Sequence, residues 1–359
     1  MKPPTPSRLP HRSSAPSPGS ASSGGSPAAA VVCGIGAWVP PRVVTNEELA
    51  RRLDTSDDWI RTRTGIRRRH VVAPGVSTGE LALQAGRRAL RSAGGAPVGA
   101  VVLATTTPDR PCPATAPEVA SRLGLGPVPA FDVAAVCTGF VYALATGSGL
   151  IAAGLARRVL VIGADAFSTI VDPHDRTTTA IFGDGAGAVV LRSGAPAEPG
   201  ALGPFDLGSD GGLADLITVE AGGSRQRSTG RAAPPSDHYF RMDGRSVFRQ
   251  AVLRMTESAQ RVLDRAGLRI DEVDRFVGHQ ANARLLDAVA DRLGLLPEHV
   301  VRHIDRVGNT AAASVPLALA DAAHRGVVQP GHRVLLTAFG GGLTWGSAVL
   351  RWPDCRPVL

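Results

Sequence analysis

Cys137 is the first residue in the chain whose setting could support covalent chemistry. It lies in Phe131-Asp132-Val133-Ala134-Ala135-Val136-Cys137-Thr138-Gly139-Phe140. Five of the six residues before it are apolar, which reads as the end of a buried strand. Thr138-Gly139 then opens a Gly/Ala-rich apolar run to Gly154 that reads as a buried helix. A cysteine at such a turn meets free backbone N–H groups and the positive end of the helix dipole. Both stabilise a thiolate, so a lowered pKa and a nucleophile near neutral pH are expected. The same stretch also suits a cysteine that is only a small buried hydrophobe.

A catalytic cysteine needs partners distant in sequence, typically a His with an Asn or Asp. Two later stretches offer them. Phe276-Val277-Gly278-His279-Gln280-Ala281-Asn282 and Val307-Gly308-Asn309-Thr310-Ala311-Ala312-Ala313-Ser314 each place a polar residue after a strand end or tight turn and before a helical run.

The elements that must position these residues follow from pattern. Strands are expected over Ala28–Trp38, Val98–Thr105, Arg158–Ala164, Ala188–Arg192, Val273–Val277, Arg333–Phe339 and Ser347–Trp352. Helices are expected over Glu47–Leu53, Ser77–Ala93, Ala116–Leu123, Asp243–Gly267, Ala283–Leu293 and Asn309–Arg325. Phe182 to Gly187 reads as a Gly-rich turn, and 193–240 as a looser connection with strand fragments such as Leu216–Glu220.

Two halves echo one another in order. A helix, Arg158-Val159-Leu160-Val161 and a Gly-rich strand to Arg192 are matched by a helix, Arg333-Val334-Leu335-Leu336 and a Gly-rich strand to Arg351. In that alignment Cys137 and Asn309 each start the corresponding buried helix. A duplicated α/β unit brings the two helix starts together, where Cys137, His279 and Asn309 could share a site. The expected division is a disordered tail at 1–29, a half with the cysteine at 30–200, and a half with the His and Asn at 201–359.

Composition bounds the classes. The chain has 359 residues, 43% of them hydrophobic, enough for a large core. The tail is rich in Pro, Ser, Gly and Ala, has no acidic residue and lacks the apolar segment of a secretory signal. No membrane span is expected. The four cysteines show no metal-ligand spacing and suggest a reducing, cytoplasmic setting. Lys2 is the only lysine, which excludes a Schiff-base or phosphate-loop lysine from the folded part. The formal charge of +8 is nearly all arginine and favours acidic or phosphorylated partners. One basic segment, Asp54 to His70, combines Trp59 with five arginines. It reads either as a nucleotide contact, through indole stacking and guanidinium forks, or as a solvated charged loop.

Six stretches in this order resemble β-ketoacyl-[acyl-carrier-protein] synthase III, a family of thiolase-fold enzymes that start fatty acid and some polyketide chains. They are Asp54 to Ile66, Phe131 to Phe140, Ile181 to Ala188, Gly278 to Asn282, Gly308 to Ser314 and Phe339 to Ser347, within a likeness running from about Ala28 to Trp352. The resemblance implies a layered αβαβα fold. It implies a Cys137, His279 and Asn309 site that condenses an acyl-CoA starter with malonyl-carrier protein through an acyl-cysteine. It places an oxyanion hole at the backbone N–H groups of Cys137 and Gly341. By similarity, Trp59 and Arg176 sandwich the adenine of coenzyme A, Arg63 reaches its phosphates and Asn282 touches the pantetheine arm. Arg284 meets the acidic carrier protein. The loop from Thr105 to Ala116 reaches a partner subunit's acyl pocket, so a homodimer is expected. Its tip, Cys112, is small for that position and suggests a starter longer or more branched than acetyl. No cofactor and no metal are implied.

An amide cannot take a proton, so Asn309 suits donation to negative charge and favours decarboxylative condensation. Two other readings stand beside it: an acyltransferase of the same fold working on an alcohol or amine, and a non-catalytic carrier-protein partner. A nucleic-acid binder has charge alone in its favour.

Overall fold

A computed structural model describes residues 28–359; the expected disordered tail, apart from its last two residues, lies outside the described residues. The first half runs β1 (Ala29–Trp38), β2 (Arg42–Thr45), α1 (Asn46–Ala50), α2 (Asp57–Thr64), β3 (Arg68–Val71), α3 (Thr78–Ser92), β4 (Ala100–Ala104), α4 (Ala116–Arg122), β5 (Ala130–Val133), α5 (Gly139–Ala152), β6 (Arg158–Asp165), α6 (Arg176–Thr179) and β7 (Gly185–Gly194). The second runs β8 (Leu202–Ser209), β9 (Ile217–Thr218), α7 (Ser224–Arg227), β10 (Arg241–Met242), α8 (Gly244–Ala266), β11 (Arg275–Gly278), α9 (Ala283–Leu293), α10 (Ile304–Val307), α11 (Ser314–His324), β12 (Arg333–Gly340) and β13 (Thr344–Arg351).

Two sheets carry the halves. One has the order β1-β7-β6-β4-β5, and the other β11-β12-β13-β8. Their pairing senses correspond. β1/β7 and β7/β6 are antiparallel and β6/β4 parallel; β8/β13 and β13/β12 are antiparallel and β12/β11 parallel. Where β5 extends the first sheet, the second has only a parallel bridge between Phe276 and Val300.

α5 and α11 lie between the sheets, α3 covers the first and α8 the second. This is the layered αβαβα order. α11 is buried almost all round, through Val315, Leu317, Ala318, Leu319 and Ala320, as a helix packed on both sides must be.

Several expected boundaries shift, each for a local reason. The Asp54 to His70 segment is not a charged loop. Ser56 caps Trp59 N–H, Gly65 closes the helix at φ +78°, and α2 forms between them. Gly185 and Gly187 belong to β7, where they let the strand approach Leu317 and Pro316 of α11. β8 lies in the stretch expected to be loose; its alternation is weak because its residues are only half-buried. β5 is also half-buried, because it is the edge of its sheet. β13 begins at Thr344 rather than Ser347, β1 at Ala29 rather than Ala28, and α1 is capped by Thr45, with Asn46 its first residue.

The last helix begins at Ser314, five residues after Asn309, because a 3-10 turn at Ala311–Ala313 intervenes. This changes the internal alignment. Val136 and Ala311 both hold φ at +47°, and each opens a 3-10 turn leading into a buried helix. Cys137 therefore corresponds to Ala312, not to Asn309.

Candidate active site

Cys137 sits on the elbow between β5 and α5. Val136 turns the chain into the left-handed region, a conformation that is costly for a β-branched residue and persists only when its surroundings impose it. The surroundings are the turn after β12. Thr344 Oγ1 donates to Ala135 O at 3.1 Å, and Thr138 Oγ1 to Thr344 O at 3.1 Å. Gly340 completes the clamp; a Cβ there would stand 2.8 Å from Cys137 N.

His279 follows β11. Its backbone N–H donates to Thr337 O at 2.8 Å, and its Nδ1 lies 2.6 Å from Ser314 Oγ. Gln280 fixes the same corner, donating to Gly278 O and accepting from His303 N–H at 2.8 Å each. Asn309 is held beside Phe182 by two backbone bonds, Asn309 N–H to Ile181 O at 2.9 Å and Gly183 N–H to Asn309 O at 3.0 Å. Gly183 is obligatory there, since a Cβ would lie 2.3 Å from Val307 O. Asn309 Oδ1 accepts Ala311 N–H at 2.9 Å, so its Nδ2 remains to donate elsewhere.

Cys137, His279 and Asn309 line one cavity of about 180 Å³, together with Ala281, Asn282 and Gly340. All three are buried. Beneath Cys137 an aromatic cluster closes the space. Phe167 and Phe182 stack with centroids 4.2 Å apart, and Phe240 meets them edge-on at 5.1 and 5.0 Å. Phe182 also lines a second cavity of about 400 Å³, walled by Val44, Arg69, Val71, Ser168 and Val171.

Burial governs the electrostatics. It pushes the Cys137 thiol well above its ordinary range, with the Asp165 charge adding to the rise; the residue's own N–H pulls the other way and is the smaller effect. The lowered pKa expected from the helix start is therefore corrected. Burial also drives the His279 imidazole down to about 3, so it is neutral at working pH.

The remaining expected site residues fall in three places. Asn282 lines the cavity and caps α9, accepting Leu285 N–H at 2.8 Å. Trp59, Arg63 and Arg176 gather away from the cavity, with the two guanidinium carbons 4.8 and 5.4 Å from the indole centroid. Arg176 also donates to Asp54 O at 2.6 Å. Arg284 is exposed on α9, and Cys112 is exposed on the loop between β4 and α4. Gly341 packs against Ile217 and Val136, whereas Gly340 reaches the cavity.

Sequence reasoning overlooked Ser314, Asp165 and the three phenylalanines. Ser314 closes the Gly308 to Ser314 stretch and Phe182 lies in Ile181 to Ala188, but nothing in a linear pattern says that a serine will back a histidine. Phe240 stands in the stretch read as loose.

Two matched halves with Cys, His and Asn at their junction define a thiolase-fold condensing enzyme. Residues 131–211 match the 3-oxoacyl-[acyl-carrier-protein (ACP)] synthase III family, and 263–352 match its C-terminal region. The chain is 61% identical over 334 residues to β-ketoacyl-[acyl-carrier-protein] synthase III 3 of Streptomyces coelicolor, covering 92% of this chain and 99% of the relative. The crystal structure of 3-oxoacyl-(acyl carrier protein) synthase III from Pseudomonas aeruginosa PAO1 superposes with a TM-score of 0.86 at 53% identity, over 92% of this chain and all of that one (100%). The priming β-ketosynthase of the R1128 polyketide pathway superposes at 0.83 with 35% identity, over 90% and 96% of the two chains. The chain belongs to the β-ketoacyl-[acyl-carrier-protein] synthase III family. It is an acyltransferase of the condensing type that initiates acyl chains.

Proposed function

We propose that Cys137 carries the starter acyl group and that His279 and Asn309 stabilise the enolate of the extender. The Cys137 sulfur attacks the acyl-CoA carbonyl, the thioester bond to coenzyme A breaks, and the thiol proton leaves on the coenzyme A sulfur. Malonyl-carrier protein follows and loses carbon dioxide. The pair left on carbon is delocalised onto the thioester oxygen, where two donors meet it. Among the described hydrogen bonds Ser314 Oγ has no acceptor other than His279 Nδ1; with the hydroxyl hydrogen given there, the imidazole proton sits on Nε2. Asn309 Nδ2 is the second donor. The enolate carbon attacks the acyl-cysteine, and Cys137 leaves and takes up a proton. Burial, which makes a free thiolate costly, favours that last step. The reaction as written uses two thioesters and no cofactor.

One observation carries this reading: the nucleophile and two donors, each fixed from behind by its own hydrogen bond, line a single cavity. Carbon dioxide release tests it. Equal yields of carbon dioxide and β-ketoacyl-carrier are expected; acyl transfer to an alcohol or amine without carbon dioxide would replace it.

Around the centre, Trp59, Arg176 and Arg63 bind the nucleotide end of coenzyme A, Asn282 meets the pantetheine arm and Arg284 the carrier protein. Cys137 N–H, with Gly341 N–H, takes the tetrahedral oxyanion. The edge strand β5, half-buried and paired on one side only, is where a second copy docks to form the homodimer. That copy's loop, with Cys112 at its tip, closes the starter pocket. A small tip and the likeness to a polyketide priming enzyme support a starter larger than acetyl. Four free thiols suit a cytoplasmic setting.

A further inference from the structure

Asp165 ends β6 as Gly340 ends β12. The elbow at Val136–Thr138 leads through α5 to β6, and the elbow at Ala311–Ala313 leads through α11 to β12. Cys137 thus corresponds to Ala312, and Asp165 to Gly340. The corresponding pairs are filled differently. In the second elbow, Ala312 N–H donates to Asp165 Oδ2 at 2.9 Å. In the first, the residue facing Cys137 N is Gly340, which brings no side chain. One elbow holds a resident carboxylate on its N–H. The other keeps the equivalent place free of protein charge.

Asp165 is fully buried. No arginine or histidine contacts it among the described ion pairs, so donors alone work against its desolvation, and burial still lifts the carboxyl to about 6. Besides Ala312 N–H, its Oδ1 accepts Thr106 N–H at 2.7 Å, Thr107 N–H at 3.2 Å, Thr105 Oγ1 at 3.2 Å and Thr107 Oγ1 at 3.1 Å. These threonines open the loop that runs to Cys112. The elbow that Asp165 grips is also the one whose Ala311 N–H orients the Asn309 amide. A single acceptor therefore links the Asn309 elbow in one half to the base of the starter-pocket loop in the other.

We propose that Asp165 is a positioning residue for the condensation, fixing Asn309 through the Ala311–Ala313 elbow. This rests on the roles assigned above to Cys137 and Asn309. An Asp165→Asn side chain presents an amide NH2 to a ring of donors, so at least one of its bonds fails. Asp165→Glu keeps the charge but moves it.

The test uses the full-length enzyme and two readouts: acylation of Cys137 by acyl-CoA and condensation with malonyl-carrier protein. For Asp165→Asn, condensation should fall by about 30-fold or more and acylation by under about 5-fold, as removal of one oriented donor would give. For Asp165→Glu, condensation should again fall more than acylation. Equal losses in both half-reactions would make Asp165 a scaffold residue and overturn the proposal, as would condensation at the wild-type rate. If neither variant folds, Thr107→Val decides. It should slow condensation by about 3-fold with acylation intact, and no change would count against the proposal. A wild-type enzyme that neither loads nor condenses would instead refute the roles of Cys137 and Asn309 themselves.

Discussion

Ser314 Oγ stands 2.6 Å from His279 Nδ1, a contact between the first residue of α11 and the corner after β11. It fixes which imidazole nitrogen faces the cavity. His279→Ala or Asn309→Ala should cut condensation by about 100- to 1,000-fold, the usual cost of one lost oxyanion donor, while Cys137 still acylates. Ser314→Ala should cost about 10-fold in condensation alone, since it removes one hydrogen bond behind the donor. Separate assays of the two half-reactions check this; equal loss of acylation would mean that these residues serve the cysteine instead.

Cys137 reactivity should follow from burial. A thiol pushed above its ordinary pKa, beside an imidazole with a pKa of about 3, cannot form a thiolate–imidazolium pair at neutral pH. Only a small fraction is thiolate at pH 7, and that fraction grows with every unit of pH. Alkylation of Cys137 should therefore climb steadily from pH 6 to 9. A plateau below pH 7 would show a low-pKa thiolate and contradict this.

Trp59 is flanked by Arg63 and Arg176 before any ligand arrives. A planar base entering between the indole and Arg176 must push that guanidinium, which also donates to Asp54 O, away from the ring. Trp59→Ala should raise KM for acyl-CoA by about 10-fold at nearly constant kcat, the value of a stacking contact of 1–2 kcal/mol. An acyl-pantetheine thioester, lacking the nucleotide, should not distinguish the two proteins. If it does, Trp59 acts on the fold instead.

Phe182 divides the reaction cavity from the larger one beside Arg69. Its chain neighbours Ile181 and Gly183 hold Asn309, and its ring is only a wall. Phe182→Ala should let longer acyl-CoAs load Cys137, at a stability cost of about 3–5 kcal/mol; Phe182→Leu should do so less, at lower cost. Loading across a chain-length series reads the cut-off, and an unchanged cut-off in both variants would remove Phe182 from starter selection.

Much of this site was legible in the chain because its chemistry-bearing residues sit at strand ends and helix starts, which sequence pattern marks well. Cys137 before Thr138-Gly139 and His279 after an apolar run are such places. The duplication was visible too, but its register was not. Sequence pattern pairs Asn309 with Cys137 because both precede Ala-rich helices; the left-handed Val136 and Ala311 pair the cysteine with Ala312 instead. Neither residue type predicts positive φ, because tertiary contacts impose it. The thiol pKa failed for a related reason. A helix start is a local feature, whereas burial comes from the closing of two sheets around α5 and α11, and burial dominates. Asp165 and Phe240 gather around Cys137 only in three dimensions.

The most direct measurement is the intact mass of the enzyme after mixing with a panel of acyl-CoAs, with Cys137→Ala as control. One acyl group should add to the wild type and none to the control. Malonyl-carrier protein added next should discharge it with release of carbon dioxide, and the acyl group that loads best names the starter. Mass gain that persists in Cys137→Ala, or an acyl-enzyme that malonyl-carrier protein leaves untouched, would contradict a condensation run through Cys137.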